Sequence, residues 1–182
     1  MAKVPSGIEK RYKNMRLDVH SLRIAGTDFA STQSADNTSD GSGALGSLTT
    51  GVDNTAYGVE ALGELTIGTD NTAVGDNALA VTTTGIDNTA VGSSALAANT
   101  TGSSNTAVGA YALDANTIGT SNNAVGINAL GANTTGVQND AVGAAALAAN
   151  TIGQNNTAVG YNAMTATTTG VNNVAIGSTA LD

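Results

Sequence analysis

The chain has no cysteine and no tryptophan, one proline, one phenylalanine and four tyrosines among 182 residues. Without cysteine there is no disulfide frame and no thiol chemistry. With aromatics at 3%, few large side chains are available, so any core must be thin. No apolar run reaches membrane-spanning length, and the polar sequence after Met1-Ala2-Lys3-Val4-Pro5 does not read as a signal peptide. No basic residue follows Arg23, so nucleic-acid binding by the remainder is not expected. The single histidine, His20, has no partner residues at catalytic spacing, and no Gly-Lys-Ser/Thr phosphate loop occurs. An enzyme is therefore the least favoured reading, and no cofactor or metal ion is expected.

What is present is a repeat. Asn71-Thr72-Ala73-Val74-Gly75, then Ala78-Leu79 and Thr83-Thr84-Gly85, returns seventeen residues later as Asn88 to Gly92, Ala95-Leu96 and Thr100-Thr101-Gly102. The same frame begins at Asn37, Asn54, Asn105, Asn122, Asn139, Asn156 and Asn173, with no insertion or deletion. Counting Asn as position 1, Gly holds position 5 and Ala position 8 in every copy. Thr and Gly hold positions 13 and 15 in every copy that reaches them, and Leu holds position 9 except at Met164. A fixed period over most of a chain is the mark of a stacked repeat.

Helical repeats are excluded by composition, since each unit carries at least two glycines with Thr, Asn and Val in quantity. The pattern predicts an all-β parallel β-solenoid of 17-residue coils, with Gly and Asn at the corners where positive φ is needed. Coils stacked at about 4.8 Å place each side chain above its own copy. An Asn ladder at position 1 then passes amide hydrogen bonds from coil to coil. The apolar positions are read as the two alanines, Val at position 4, Leu at position 9, and Thr or Ile at position 14. So thin a core favours three solenoids side by side, with the Leu or Val ladder on a shared axis, and hence a homotrimer.

The run Asn172-Asn173-Val174-Ala175-Ile176-Gly177-Ser178-Thr179-Ala180 resembles the head repeat of trimeric autotransporter adhesins. The longer unit, with Ala-Leu and Asn99-Thr100-Thr101-Gly102, is similar to repeats in bacteriophage fibre and virion-surface proteins. The likeness covers about residues 37–182. It implies a left-handed parallel β-roll and a trimer, although adhesin repeats usually run shorter than seventeen residues.

Residues 1–36 differ in kind. They hold all six basic residues against four acids, for a charge of +2, while the rod from 37 to 182 carries ten acids and no base. A basic arm suits docking on an acidic surface, with Lys10, Arg11, Lys13, Arg16 and Arg23 as the partner-docking residues. Ser6-Gly7-Ile8-Glu9 has capping-box spacing, and Ile8, Tyr12, Met15, Val19 and Leu22 follow in heptads up to Gly26. A helix is therefore weighed against an extended strand over 16–24, with 27–36 as linker.

These readings converge on a phage virion structural protein, assembled in the host cytoplasm and carried on the virion surface. It is a trimeric capsid decoration (cement) protein or short fibre, anchored by the arm, with no membrane partner. The absence of an export signal and of a separate C-terminal head favours decoration. Two alternatives stand beside it. One is an adhesin or receptor-binding fibre, with Tyr111, Tyr161, Asn77, Asn128 and Asn162 at positions 6 and 7 as glycan contacts. The other is an ice-binding solenoid, for which Thr82/Thr84 and Thr167/Thr169 supply Thr-x-Thr pairs. Asp53, Asp70 and Asp87 share one corner but give way to Ser, Gln or Asn in later coils, so that corner reads as a polar ladder.

Overall fold

The computed structural model describes residues 22–24, 27–29 and 36–182. Strands β1 (Leu22–Ile24) and β2 (Thr27–Phe29) pair antiparallel, with Arg23 opposite Asp28. Nine further strands, β3 (Thr38–Asp40) through β11 (Val174–Ile176), form one parallel sheet in chain order. Within this sheet successive strands pair at an offset of seventeen residues, as in Ala73↔Ala90 and Ala90↔Ala107. The rod is a parallel β-solenoid of 17-residue coils, as the period predicted, and no helix occurs among the described residues. Nine rungs at about 4.8 Å give a rod of roughly 43 Å.

The three-residue strand fixes which side chains face inward. Alternation along Thr-Ala-Val turns the central Ala into the lumen and its two neighbours outward. Ala56, Ala73, Ala90, Ala107, Ala124, Ala141 and Ala158 are fully buried. The expectation that Val at position 4 joins the core is therefore corrected: Val74 through Val159 are exposed. Ile67, Ile118 and Ile152 at position 14 are exposed as well.

The core is Ala at positions 3 and 8 with Leu or Met at position 9, all of them buried from Ala56 to Met164. The leucine ladder of position 9, one of the two expected on a shared axis, is thus internal to each coil. These leucines adopt left-handed φ, 52° at Leu79, Leu96, Leu113, Leu130 and Leu147. The conformation costs roughly 1–2 kcal/mol per residue. Complete burial of a leucine is worth roughly 1.5–3 kcal/mol, which offsets that strain.

The corners are also redistributed. Positive φ falls at Gly of position 5 and at positions 7, 9 and 17, among them Asn77, Tyr111, Asp70 and Asp87. Neither the Asn of position 1 nor the Gly of position 15 has positive φ. The position-15 glycine is invariant for a different reason. A Cβ at Gly119 would run into the carboxamide oxygen of Asn116 and the carbonyl of Gly136 in the next coil.

The linker reading of 27–36 is corrected at Thr27–Phe29, which is a strand. Of the proposed heptad, Leu22 lies in β1, and the positions from Ile8 to Val19 lie outside the described residues.

Candidate interaction surface

Two polar ladders run through the lumen and hold the outer surface in register. At position 1, each Asn donates Nδ2 to Oδ1 of the Asn one coil earlier, as Asn71 to Asn54 and Asn88 to Asn71, both at 3.0 Å. The backbone N–H of the same residue reaches that oxygen too, and Nδ2 also donates to the carbonyl of a position-15 glycine, Asn71 to Gly85 at 2.8 Å. The predicted position-1 ladder is present and fully buried through most of the rod. A second ladder, not anticipated, occupies position 12, where Asn116 donates to Asn99, Asn133 to Asn116 and Asn150 to Asn133. Its sequence signal was the run of Asn at 99, 116, 133 and 150, seventeen residues apart. Asn99 and Asn133 are buried.

The invariant Thr at position 13 has a structural duty as well. Its hydroxyl donates to the backbone carbonyl of the next coil's Thr, Thr66 to Thr83 at 2.9 Å and Thr100 to Thr117 at 3.0 Å. The Thr-x-Thr pairs do not form one outer face: Thr82 is buried with its hydroxyl on the Asn99 carbonyl, and Thr84 is exposed.

The outer face of the sheet is the most regular surface of the rod. Tyr57, Val74, Val91, Val108, Val125, Val142 and Val159 stand in one column, between 37% and 45% exposed. Beside them runs position 2: Thr55, Thr72, Thr89, Thr106, Asn123, Asp140 and Thr157. Asp140 is the single charge in these two columns from β4 to β11, and its carboxylate accepts from Asn123 Nδ2 at 2.6 Å. Across the exposed ridge of position 17 lies a second strip, positions 14 and 16, with no charged residue in any coil. Its members include Ile67, Ile86, Ile118 and Val171, all exposed. Each strip is about 40 Å long and about 10 Å wide, so the two together offer roughly 800 Å², the size of one side of a standard protein interface.

The acids lie elsewhere. Asp53, Asp70 and Asp87 occupy the exposed ridge, but among the described residues no group of three His, Cys, Asp or Glu side chains is placed to hold a metal ion. Asp114, at position 10, has its carboxyl raised above the usual carboxylate range by burial, partly offset by backbone N–H donation from Ala115 and from its own N–H. Of the basic residues assigned to docking, Lys10, Arg11, Lys13 and Arg16 lie outside the described residues, as does His20, and Arg23 is on β1. Tyr111, Tyr161, Asn77, Asn128 and Asn162 all lie in the turn that follows the sheet, at positions 6 and 7. No family model, curated protein or solved structure matches the chain.

Proposed function

We propose that the chain is a structural protein of a bacteriophage virion, a homotrimeric capsid decoration (cement) protein or short fibre. In this reading the solenoid projects outward and the basic arm docks on an acidic surface of the particle. The observation that carries it is the exposed, in-register column from Tyr57 to Val159. Seven large apolar side chains in a line are an unusual thing for a slender rod to leave in water. The uncharged strip of positions 14 and 16 supports the same reading, because a cyclic trimer needs two different patches on each protomer. The likeness of residues 172–180 to trimeric adhesin heads adds weight to the trimer. Basic residues confined to the arm support docking there, and three arms per trimer would bridge neighbouring capsid subunits through multivalency.

The test has two parts. Light scattering of the full chain should give three times the chain mass, and Val91→Asp with Val108→Asp should give monomers that keep the β spectrum. A monomeric wild-type protein would sink the trimer. Co-sedimentation with particles of the virus that encodes the chain should then depend on the arm. Arg11→Glu with Arg16→Glu should abolish it, and undiminished binding would remove the docking role.

A further inference from the structure

The turn at positions 6 and 7 carries small or polar side chains in most coils, such as Ser93, Ser94, Ala110, Ala144 and Ala145. Of the large apolar side chains in this turn, Val59, Tyr111, Ile127 and Tyr161, the last two are the most exposed, at 63% and 60%. Both occupy position 6, two coils apart, with Ala144 between them. The stacking is fixed by backbone hydrogen bonds, Ala145 N–H to the Ile127 carbonyl and Asn162 N–H to the Ala144 carbonyl. Two rungs are about 9.6 Å, so the short Ala144 leaves a notch between an isoleucine wall and a tyrosine ring.

Each wall is followed in the chain by an amide; the exposed carboxamide of Asn128 rests against Gly131, from which it can swing. Asn128 follows Ile127 and Asn162 follows Tyr161, each held at left-handed φ (56° and 53°). Neither side-chain amide has a hydrogen-bond partner among the described residues. Asn77, at the same position lower in the rod, does have one, the Asp76 carboxylate at 3.1 Å.

The chemistry of the notch selects its occupant. From Ser93 upward no residue at position 6 or 7 is charged, so neither a phosphate nor a basic peptide finds a counter-charge there. A notch two rungs high is far smaller than the roughly 800 Å² that a protein partner needs. It suits a small neutral ligand with one apolar face and a polar rim. A tyrosine ring supplies the apolar platform with little entropy to lose, and two carboxamides supply both donors and acceptors. That combination matches the C–H face and vicinal hydroxyls of a pyranose ring.

We propose that the notch formed by Ile127, Ala144 and Tyr161, with the amides of Asn128 and Asn162, is a binding site for a neutral sugar residue of a surface glycan. The proposal goes beyond the structural role and does not depend on the trimer, although three notches per assembly would raise avidity.

The experiment is a printed array of neutral and sialylated oligosaccharides probed with the full-length protein. Wild type should retain a subset of neutral glycans. Tyr161→Ala removes the platform, and Ala144→Leu fills the gap from an outward-facing position. Each should weaken binding by about tenfold or more with an unchanged melting temperature. Ala110→Leu, in the same column but outside the notch, should bind as wild type does. Retention of only sialylated glycans, of none at all, or of the same glycans by both notch variants would overturn the proposal.

Discussion

The carboxamide oxygen of Asn88 accepts two hydrogen bonds from Asn105, one from the backbone N–H at 3.1 Å and one from Nδ2 at 3.2 Å. Asn105 Nδ2 also donates to the Gly119 carbonyl, and its own oxygen accepts from the N–H and Nδ2 of Asn122. One side chain therefore satisfies groups in three successive coils, in a lumen that water does not reach. Asn105→Ala leaves several of these groups buried without partners. At roughly 1–3 kcal/mol for each orphaned group, the loss should be on the order of 3 kcal/mol or more. Ser104→Ala, at the exposed neighbouring position, should change little. Urea denaturation followed by circular dichroism measures both, and an equal midpoint for the two variants would show that the ladder is not the stabilising element.

The second ladder stops short. Asn150 donates to Asn133, but its own Oδ1 is buried and accepts no hydrogen bond, because position 12 of the next coil is Thr167. At the other end Thr82 closes the ladder properly, with its hydroxyl accepting from Asn99 Nδ2. Thr167→Asn should extend the ladder by one rung and give the orphan oxygen its donor. The expected gain is about 1 kcal/mol, read as a higher urea midpoint. Thr167→Val, which offers no donor, should not reproduce it.

Two glycines separate close stacking from mere smallness. Gly119 sits at position 15, where a methyl would strike a backbone carbonyl of the next coil and the buried Asn116. Gly131 sits at position 10, where the nearest obstruction is the exposed side chain of Asn128, which can swing away. Other coils hold Ala at position 10, as at Ala80 and Ala97. Gly119→Ala should therefore cost several times the roughly 1 kcal/mol of an average substitution. Gly131→Ala should be neutral or slightly stabilising, since it also restricts the unfolded chain. Melting curves of the two variants give the comparison directly.

These cases show what the sequence made legible. The period, the parallel stacking and the position-1 Asn ladder could be read because identical residues must lie over one another in a solenoid. The direction of each side chain could not be read so easily. Thr72-Ala73-Val74 is apolar at two of three positions, and composition alone favours burying the larger one. The lumen is too narrow for that, so Ala73 goes in and Val74 goes out. The same narrowness hid the lumenal role of Asn99 and Asn116, because polar residues are rarely expected in a core. They are admitted because each carboxamide finds its partner in the neighbouring coil. The outer columns then became visible only as the complement of what the lumen accepts.

Asp114 gives a pH-dependent test of this packing. Burial raises its carboxyl above the ordinary value, so the folded chain holds that proton more tightly than the unfolded chain does. For an acid shifted in this direction, the unfolded state binds fewer protons across the window between the two pKa values. Stability therefore falls as pH rises through that window, starting near the unfolded value of about 3.9. Below the window Asp114 is protonated in both states and imposes no cost. Above it, the cost of holding a partly desolvated carboxylate persists to neutral pH. Asp114→Ala, which copies Ala97 and Ala148 at the same position, should raise the melting temperature at pH 7 and leave it unchanged at pH 3. The effect is modest, since the side chain still meets solvent. A variant that melts lower than wild type at pH 7 would mean that the backbone hydrogen bonds to the carboxylate outweigh its desolvation.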